Sequence, residues 1–378
     1  MDHDALRKNS MNKVLDTGVN NVRNVSRYIF GQNCLAKLAE ILSTHCTGPT
    51  GHTVYFVDSY FRENGSLIDR LPIEESDQVV FVSTVDEPTT DLIDTMCAQI
   101  LSERSTMPRA IVGVGGGITL DTAKAISNLI GNGGRAEDYQ GWDLLSKPGV
   151  YKVGIPTISG TGAEATRTCV MTNPRTGAKL GMNSDFTVFD QLLLDPDLSA
   201  TVPRDQYFYT GMDAYIHCFE ALRGSHRNVI GDAMSIQALD LCRQVFKSDQ
   251  MMSDVNRANL MVASYLGGCA IATSYVGVVH PFSAGLSVVL GLHHGIANCI
   301  ALMALSEFYK EEHDQLHAFA DQQEIDVPKD ICANLSEDAF ENLYKATIVH
   351  EKPLTNALGA DFHNILTREK VKQIFSRM

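Results

Sequence analysis

The amino-acid sequence predicts an α/β N-terminal Rossmann-like domain at residues 1–195 and an all-α C-terminal domain at residues 196–378. Three observations support this division. The chain has 378 residues, more than one hydrophobic core usually organises. Up to about Asp195, apolar runs typical of buried strands alternate with helical segments, which favours a parallel sheet flanked by helices. Beyond Pro196 apolar residues recur at helical spacing, and runs typical of strands are absent.

Each predicted element follows from its local pattern. Short apolar runs predict strands at 53–58, 78–83, 110–114, 151–156 and 191–195, and helical spacing predicts helices at 34–42 and 91–101. In the second half, helical spacing predicts helices at 207–246, 255–273, 296–319 and 337–350. The predicted sheet therefore lies entirely in the first 195 residues.

Composition and charge exclude several classes of function. The chain carries 45 acidic and 31 basic residues, a net charge of −14, which argues against a nucleic-acid partner. The N-terminus is polar and no apolar run is long enough to span a membrane, so neither a signal peptide nor a membrane partner is expected. The nine cysteines are scattered, without a C-x-x-C pair, which predicts reduced thiols and a cytoplasmic protein.

A glycine-rich loop follows the predicted strand at 110–114. Gly115, Gly116 and Gly117 lead into a helix that begins near Thr119. Such a loop lets the backbone approach a pyrophosphate, which the N-terminus of the following helix then favours electrostatically. Ile118 stands where the dinucleotide fingerprint G-x-G-x-x-G has its last glycine. A tight strand–helix turn explains the same residues, so both interpretations remain open at this point.

Two further segments suit a dinucleotide. Asp58 ends the first strong strand, where a carboxylate can accept hydrogen bonds from ribose hydroxyls and disfavour a 2′-phosphate, so that NAD is preferred over NADP. An aspartate that caps the next turn is the alternative. The loop at 156–164 is rich in hydroxyls and glycines. It can place donors around a ribose or a nicotinamide, or it can be an ordinary surface turn.

Histidines in the second half predict a metal site. Asp213 and His217 are four residues apart on a predicted helix and share one face. His280 and the pair His293–His294 lie in an apolar, glycine-rich stretch where polar groups need partners. Three imidazoles and one carboxylate can hold Fe²⁺ or Zn²⁺ and leave a position for a substrate oxygen. For Asp213 and His217 alone, a salt bridge on the helix surface is the alternative.

Four segments together resemble a known family. GGGITLDTAKAI, PTISGTGAEAT, GMDAYIHCFEA and VHPFSAGLSVVLGLHHGIAN are similar, in order and spacing, to the motifs of the iron-containing (group III) alcohol dehydrogenases. The resemblance implies the fold that these enzymes share with dehydroquinate synthase. It also implies NAD and one divalent metal, Fe²⁺ or Zn²⁺, as cofactors, and a homodimer.

The resemblance assigns roles to individual residues. It implies a pyrophosphate loop at Gly115, Gly116, Gly117 and Thr119, a ribose carboxylate at Asp58, a second cofactor loop with Thr157 and Thr161, a lysine beside the nicotinamide ribose at Lys179, and metal ligands at Asp213, His217, His280 and His294. Many relatives have a second histidine four residues after the third ligand, where this chain has Ala284. His293 stands where relatives often have proline. It is a candidate catalytic group that carries the proton away, and packing against the loop is the alternative.

The implied reaction is the oxidation of a primary alcohol to an aldehyde with hydride transfer to NAD. Within the family the likeness is greatest to members that oxidise the C8 hydroxyl of 3-deoxy-D-manno-octulosonate (Kdo) for lipopolysaccharide sugar biosynthesis, which implies a small sugar-acid substrate. One alternative is an oxygen-dependent oxidase that recycles its cofactor in place. Another is a carbon–oxygen lyase similar to dehydroquinate synthase, although the second half lacks a Lys/Arg cluster near the predicted ligands.

Overall fold

The structure is a computed structural model that describes residues 22–45, 51–63 and 66–378. Most of the polar N-terminal segment, together with Cys46, lies outside the described residues. The other eight cysteines are buried and unpaired, as the sequence predicts.

The first half is built on a parallel sheet. In the described residues the strands are β1 (Arg27–Phe30), β2 (His52–Asp58), β3 (Gln78–Val82), β4 (Pro108–Gly115), β5 (Gly141–Trp142), β6 (Tyr151–Pro156), β7 (Thr168–Asn173), β8 (Ala178–Asn183) and β9 (Gln191–Leu194). Six of them form the main sheet in the order β1-β9-β6-β4-β2-β3. The others form a small sheet in which β7 and β8 pair as an antiparallel hairpin. The predicted α/β architecture of this half is confirmed.

Helices cover the sheet and form the whole second half. They are α1 (Leu38–His45), α2 (Tyr60–Glu63), α3 (Thr90–Glu103), α4 (Gly117–Asn132), α5 (Arg204–Arg223), α6 (Val229–Phe246), α7 (Asp254–Ser274), α8 (Val279–Leu290), α9 (His294–Ala304), α10 (Lys310–Gln322), α11 (Glu337–Ile348), α12 (Glu351–Leu358), α13 (Phe362–Ile365) and α14 (Arg368–Phe375). Within the described ranges no single helix has both the length and the apolar composition of a membrane span.

Strand β2 shows why the sheet strands are continuously apolar. Tyr55 and Val57 pack with α1 on one face of the sheet, while Val54 and Phe56 pack with α3 and α4 on the other. Successive side chains of a strand point to opposite faces, so a strand covered on both faces must be apolar at every position. The five strands predicted from apolar runs are all present for this reason.

Several predicted boundaries are wrong. The predicted helix at 207–246 is two helices, because α5 ends at Arg223 and Asn228 caps the start of α6 by accepting a hydrogen bond from Gly231 N at 3.0 Å. The predicted helix at 296–319 is likewise divided into α9 and α10. The edge strand β1, the hairpin strands and the helix α8 were not predicted.

Close backbone contacts join the two halves. A Cβ on Gly160, whose φ is +151°, would lie 1.6 Å from the carbonyl oxygen of Thr210 in α5. Ser264 Oγ of α7 accepts hydrogen bonds from Gly160 N at 2.8 Å and from Gly162 N at 3.2 Å, and donates one to Glu164 at 2.7 Å. The loop that follows β6 is therefore fixed directly against the helical half.

Candidate active site

Four side chains of the helical half converge on one point. Asp213 and His217 come from α5, His280 from the first turn of α8, and His294 from the start of α9. Nε2 atoms of His217 and His280 each lie 3.3 Å from Asp213 Oδ1, and His294 Nε2 lies 3.5 Å from Asp213 Oδ2. One ligand atom from each residue falls within a group no wider than 4.8 Å. Helices distant in sequence thus assemble the set that the sequence predicts.

The same four residues fit a divalent metal. Asp213 Oδ2, His217 Nδ1, His280 Nε2 and His294 Nδ1 are buried without a hydrogen-bond partner in the described part of the chain. Buried polar atoms are normally paired, so one unpartnered atom on each of four converging side chains requires an explanation. Three imidazoles and one carboxylate are a donor set that suits Zn²⁺ and Fe²⁺.

Glu220 positions the imidazole ring of His280 through the ring nitrogen Nδ1. Its Oε2 lies 2.6 Å from His280 Nδ1, and its Oε1 accepts a hydrogen bond from Val279 N at 2.6 Å. In the neutral ring the proton lies on Nδ1, toward this carboxylate, so Nε2 is the nitrogen whose electron pair could bind a metal. Burial alone would lower the pKa of His280, but the negative charges of Glu220 and Asp213 raise it to about 9, so the ring must release its Nε2 proton when a metal binds.

The other three groups favour the protonation states that a metal needs. Burial lowers the pKa of His217 to about 3 and that of His294 to about 4, so both imidazoles are neutral near pH 7. Burial would raise the pKa of Asp213, but the neighbouring histidines hold it well below its ordinary value. Asn298 Nδ2 donates to Asp213 Oδ1 at 2.7 Å and fixes the carboxylate.

A cavity of about 540 Å³ joins this cluster to the sheet. Its walls include His217, His280 and His294 at one end and Gly116, Gly117 and Asp58 toward the other. This is the size range of small-molecule sites. It opens at the carboxyl ends of the parallel strands, where the loops after β2, β4 and β6 meet.

The glycine loop faces the cavity with its backbone. Gly116 and Gly117 line the wall where α4 begins, so the unpaired N–H groups of the first helical turn are directed there. A Cβ on Gly116 would meet Ile158 at 2.9 Å, and one on Gly117 would meet Thr161 at 3.1 Å. The two predicted cofactor loops therefore pack against each other without space for side chains on the glycines.

Some predicted cofactor residues lie behind this wall. Thr119 is fully buried, and a Cβ on Gly115 would meet its Oγ1 at 2.7 Å. Thr157 is also buried, and its N–H donates to Gly115 O at 3.1 Å. The structure gives Gly115, Thr119 and Thr157 contacts that shape the loops, whereas Thr161 borders the cavity.

Asp58 lies at the other end of the cavity. Its Oδ1 accepts hydrogen bonds from Tyr60 N at 3.0 Å and from Thr84 Oγ1 at 3.4 Å, and burial raises its pKa. Arg62, the nearby base that could neutralise a phosphate, instead lies over the ring of Phe81 at 4.5 Å. Asp58 lines the cavity. Its second carboxylate oxygen, Oδ2, takes part in neither of these two hydrogen bonds.

Comparison with known proteins identifies the family. The profile of iron-containing alcohol dehydrogenases matches residues 25–196, and the profile of the C-terminal part of the Fe-containing alcohol dehydrogenase family matches residues 207–352. The chain belongs to the iron-containing alcohol dehydrogenase family. The fit of the four-residue cluster to a divalent metal agrees with the metal in the family's name.

Individual relatives act on small alcohols and aldehydes. The chain is 34% identical over 191 residues to the sulfoacetaldehyde reductase of Bilophila wadsworthia, covering 50% of this chain and 49% of that protein. It is 34% identical over 201 residues to the NAD-dependent methanol dehydrogenase of Bacillus methanolicus, covering 53% of each. These matches span about half the length of the two relatives. They support the oxidoreductase assignment of the family without defining the substrate of this member.

Solved structures of alcohol dehydrogenases share the fold. A 1,3-propanediol oxidoreductase superposes with a TM-score of 0.80 at 21% identity, covering 94% of this chain and 99% of that one. The sulfoacetaldehyde reductase of Bifidobacterium kashiwanohense, solved in complex with NAD⁺, superposes with a TM-score of 0.76 at 20% identity, covering 94% and 98%. The predicted combination of a Rossmann-like half and a helical half is confirmed for this family member.

The structure places the remaining predicted residues of this family member at the cavity. Lys179 forms an ion pair with Glu87 at 2.9 Å, and both line the wall. Burial would raise the pKa of Glu87, but the positive charge of Lys179 lowers it. His293 also lines the cavity and is solvent-exposed. Ala284 borders the cavity near His280, as its position four residues later on α8 requires.

Sequence reasoning missed four polar residues of the site. Glu220 lies three residues after His217 and Asn298 lies four after His294, so helical spacing from the ligands could have found both. Glu87 follows β3, and His350 lies between α11 and α12. No spacing rule connects those two to the ligands, because only the tertiary fold brings them to the cavity.

Proposed function

We propose that this protein is a metal-dependent alcohol dehydrogenase that oxidises a primary alcohol to an aldehyde, with NAD as the hydride acceptor. The observation that carries the proposal is one cavity with two distinct ends. Asp213, His217, His280 and His294 present unpartnered buried atoms at one end, and Gly116 and Gly117 present helix N–H groups farther along. We further propose that residues 1–195 and 196–378 are separate domains that meet at this cavity.

Each part of the chain has a task in this reaction. When bound, the metal supplies the Lewis acidity that lowers the pKa of the alcohol hydroxyl, and NAD supplies the hydride acceptor. Asp213, His217, His280 and His294 would hold the metal. His294 has the most exposed side chain of the four, 28%, so the cluster is open on its side. A catalytic metal site needs such an open position for substrate.

The cofactor would lie along the sheet edge. Gly116 and Gly117 would receive the pyrophosphate and Asp58 the ribose, with Thr161 and Lys179 nearer the metal. His293 is exposed beside His294 and would take up the proton released from the alcohol. Apolar residues on the cavity wall, including Ile158, Ile271 and Val276, reduce access of water to the reacting carbon.

Metal and nucleotide binding test this function together. Elemental analysis of the purified protein should find about one Fe or Zn per chain, and primary alcohols should reduce added NAD. His294→Ala should lose most of the metal and the turnover, because one of four ligands is removed. His363→Ala, at an exposed position of the helical half, is the matched control. Full metal content in the His294 variant would refute the ligand assignment, and peroxide formation without added NAD would favour an oxidase.

The narrower proposal is that the alcohol is the C8 hydroxyl of Kdo, in lipopolysaccharide sugar biosynthesis. It is supported by the sequence likeness described above and by Ala284. Four residues after His280, this small side chain leaves space at the cavity wall for an elongated sugar acid. The terminal hydroxyl would reach the metal while the carboxylate lies toward the cavity mouth.

Restoring a histidine at position 284 tests the substrate proposal. Ala284→His should reduce kcat/KM for Kdo more than for 1,3-propanediol, because the larger ring narrows the wall beside His280. Ala318→His, at an exposed position of α10, controls for the introduction of a histidine elsewhere in the helical half. If the unmodified protein prefers short alcohols, or if the variant oxidises Kdo normally, the sugar-acid proposal is wrong.

We also propose a cytoplasmic homodimer. The edge strand β1 supports the dimer, because Tyr28 and Phe30 are exposed at 56% and 44% at the edge of the sheet that the described strands form. Light scattering at micromolar concentration should give twice the monomer mass, and a monomer would exclude this arrangement.

A further inference from the structure

One partly buried imidazole of the cavity has no role in the reaction derived so far. His350 lies between α11 and α12 and borders the same cavity as His280 and Ala284. Its Nε2 is inaccessible to solvent and has no hydrogen-bond partner among the described residues. It is not one of the four converging ligands. A buried, unpartnered nitrogen at the wall of a binding cavity is explained if the missing partner is a bound molecule.

The packing of two helices explains how His350 reaches this position. A Cβ on Gly285 of α8 would lie 2.8 Å from Thr347 Oγ1 and 3.4 Å from Leu343 O, so α11 packs against α8 with almost no separation. His350 follows α11 by two residues, and Ala284 precedes Gly285. The contact therefore brings the end of α11 to the part of the cavity wall where Ala284 leaves space.

Charge decides which chemical group His350 can recognise. Burial, together with the positive charges of Lys179 and His280, lowers the pKa of His350 to about 4. The ring is therefore neutral near pH 7, with one nitrogen that donates and one that accepts. Lys179 is already paired with Glu87 at 2.9 Å. Among the described residues, this wall thus offers no unpaired lysine or arginine for a carboxylate. It offers one unpartnered ring nitrogen, which donates or accepts according to the tautomer, and a hydroxyl group can match either role.

We propose that His350 is a specificity-determining residue that hydrogen-bonds a hydroxyl group of the substrate beside the reacting carbon. The pocket would then select polyhydroxylated alcohols over simple alkanols. This inference rests on the proposed alcohol dehydrogenase function and narrows its substrate class. A site built to hydrogen-bond a substrate hydroxyl disfavours the analogue that lacks it, because the polar group of the protein is then left unpaired.

Matched pairs of alcohols test the proposal. The measured quantity is the ratio of kcat/KM for 1,2-propanediol to that for 1-propanol, repeated with 1,2-hexanediol and 1-hexanol. His350→Leu, which has similar bulk and no polar group, should lower the ratio roughly tenfold. His350→Gln should restore part of it, because the amide can again donate and accept. His363→Leu, at an exposed position, should leave it unchanged.

The outcomes separate this inference from the proposed function. If the unmodified protein oxidises alcohols but His350→Leu lowers kcat/KM equally for both members of each pair, His350 has only a structural role and the inference is wrong. An unchanged ratio in that variant also overturns it. If the unmodified protein oxidises none of the alcohols, the proposed function itself fails. Metal content and the thermal unfolding midpoint of each variant show whether the cavity has remained folded.

Discussion

Glu220 offers a sharp test of how the fold prepares the metal site. Glu220→Gln keeps the shape of the side chain but removes its charge and makes one end a donor. In the structure both carboxylate oxygens accept hydrogen bonds, from Val279 N and from His280 Nδ1, each at 2.6 Å. A glutamine cannot accept at both ends. The amide must therefore lose one of these contacts in either orientation.

Both orientations of the amide in Glu220→Gln weaken metal binding. If the amide NH₂ faces His280, Nδ1 must accept, and the ring proton moves to Nε2, the atom that would bind the metal. If the NH₂ faces Val279, two donors oppose each other at a buried site, at a cost of about 1–3 kcal/mol. Loss of such a supporting contact typically reduces metal affinity 10- to 100-fold, or about 1.4–2.8 kcal/mol. We expect a loss in that range for Glu220→Gln.

Competition with a chelator of known affinity measures the effect. The matched control is Glu337→Gln, where the side chain is 83% exposed and pairs with Lys372 on the surface. The control should bind metal as the unmodified protein does. Thermal unfolding of the metal-free proteins separates weaker binding from general destabilisation. Unchanged metal affinity in Glu220→Gln would refute the argument that this carboxylate sets the proton position on His280.

Three further predictions concern the cofactors and the contact between the halves. Asp58→Asn should raise kcat/KM for NADP relative to NAD roughly tenfold, because a like charge beside the 2′-phosphate is removed; an unmodified enzyme that already uses both equally would contradict this. Removal of the metal by a chelator should lower the thermal midpoint by several degrees, since a ligand that binds only the folded state stabilises it; an unchanged midpoint would argue against metal binding. Gly160→Ala should unfold at a lower denaturant concentration than Gly177→Ala. A Cβ at position 160 would lie 1.6 Å from Thr210 O, whereas a Cβ at position 177 would meet nothing within 4 Å. Equal unfolding midpoints would show that the loop can move away from α5.

The sequence predicted the parts of the fold in which one physical signal dominates. Strands buried on both faces, such as β2, are continuously apolar and were found. The hairpin of β7 and β8 was missed, because β7 buries only alternate positions, β8 buries only Lys179 and Met182, and the composition of both strands is mixed. The division between α5 and α6 was missed because apolar periodicity resumes after Asn228, whose capping role is a local detail.

The site was predictable to the extent that its residues are close in sequence. Asp213 and His217 share a helical face, so their pairing follows from spacing alone. His280 and His294 joined them through family resemblance, and the structure shows the convergence directly. Glu87 and His350 reach the cavity from a loop after β3 and from the end of α11. Their positions depend on how the two halves of the chain pack, which local patterns do not encode.

The close backbone contact between Gly160 and Thr210 has a consequence for how substrate preference diverges within such a family. Thr210 lies one helical turn before Asp213 on α5, so the loop proposed to hold the cofactor and the helix that carries two of the proposed metal ligands are in direct backbone contact. In the proposed reaction, the distance between hydride donor and acceptor is then insensitive to substitutions elsewhere on the cavity wall. Ala284 and His350 lie on that wall. Substrate preference can therefore drift by mutation there while the reaction geometry is inherited unchanged.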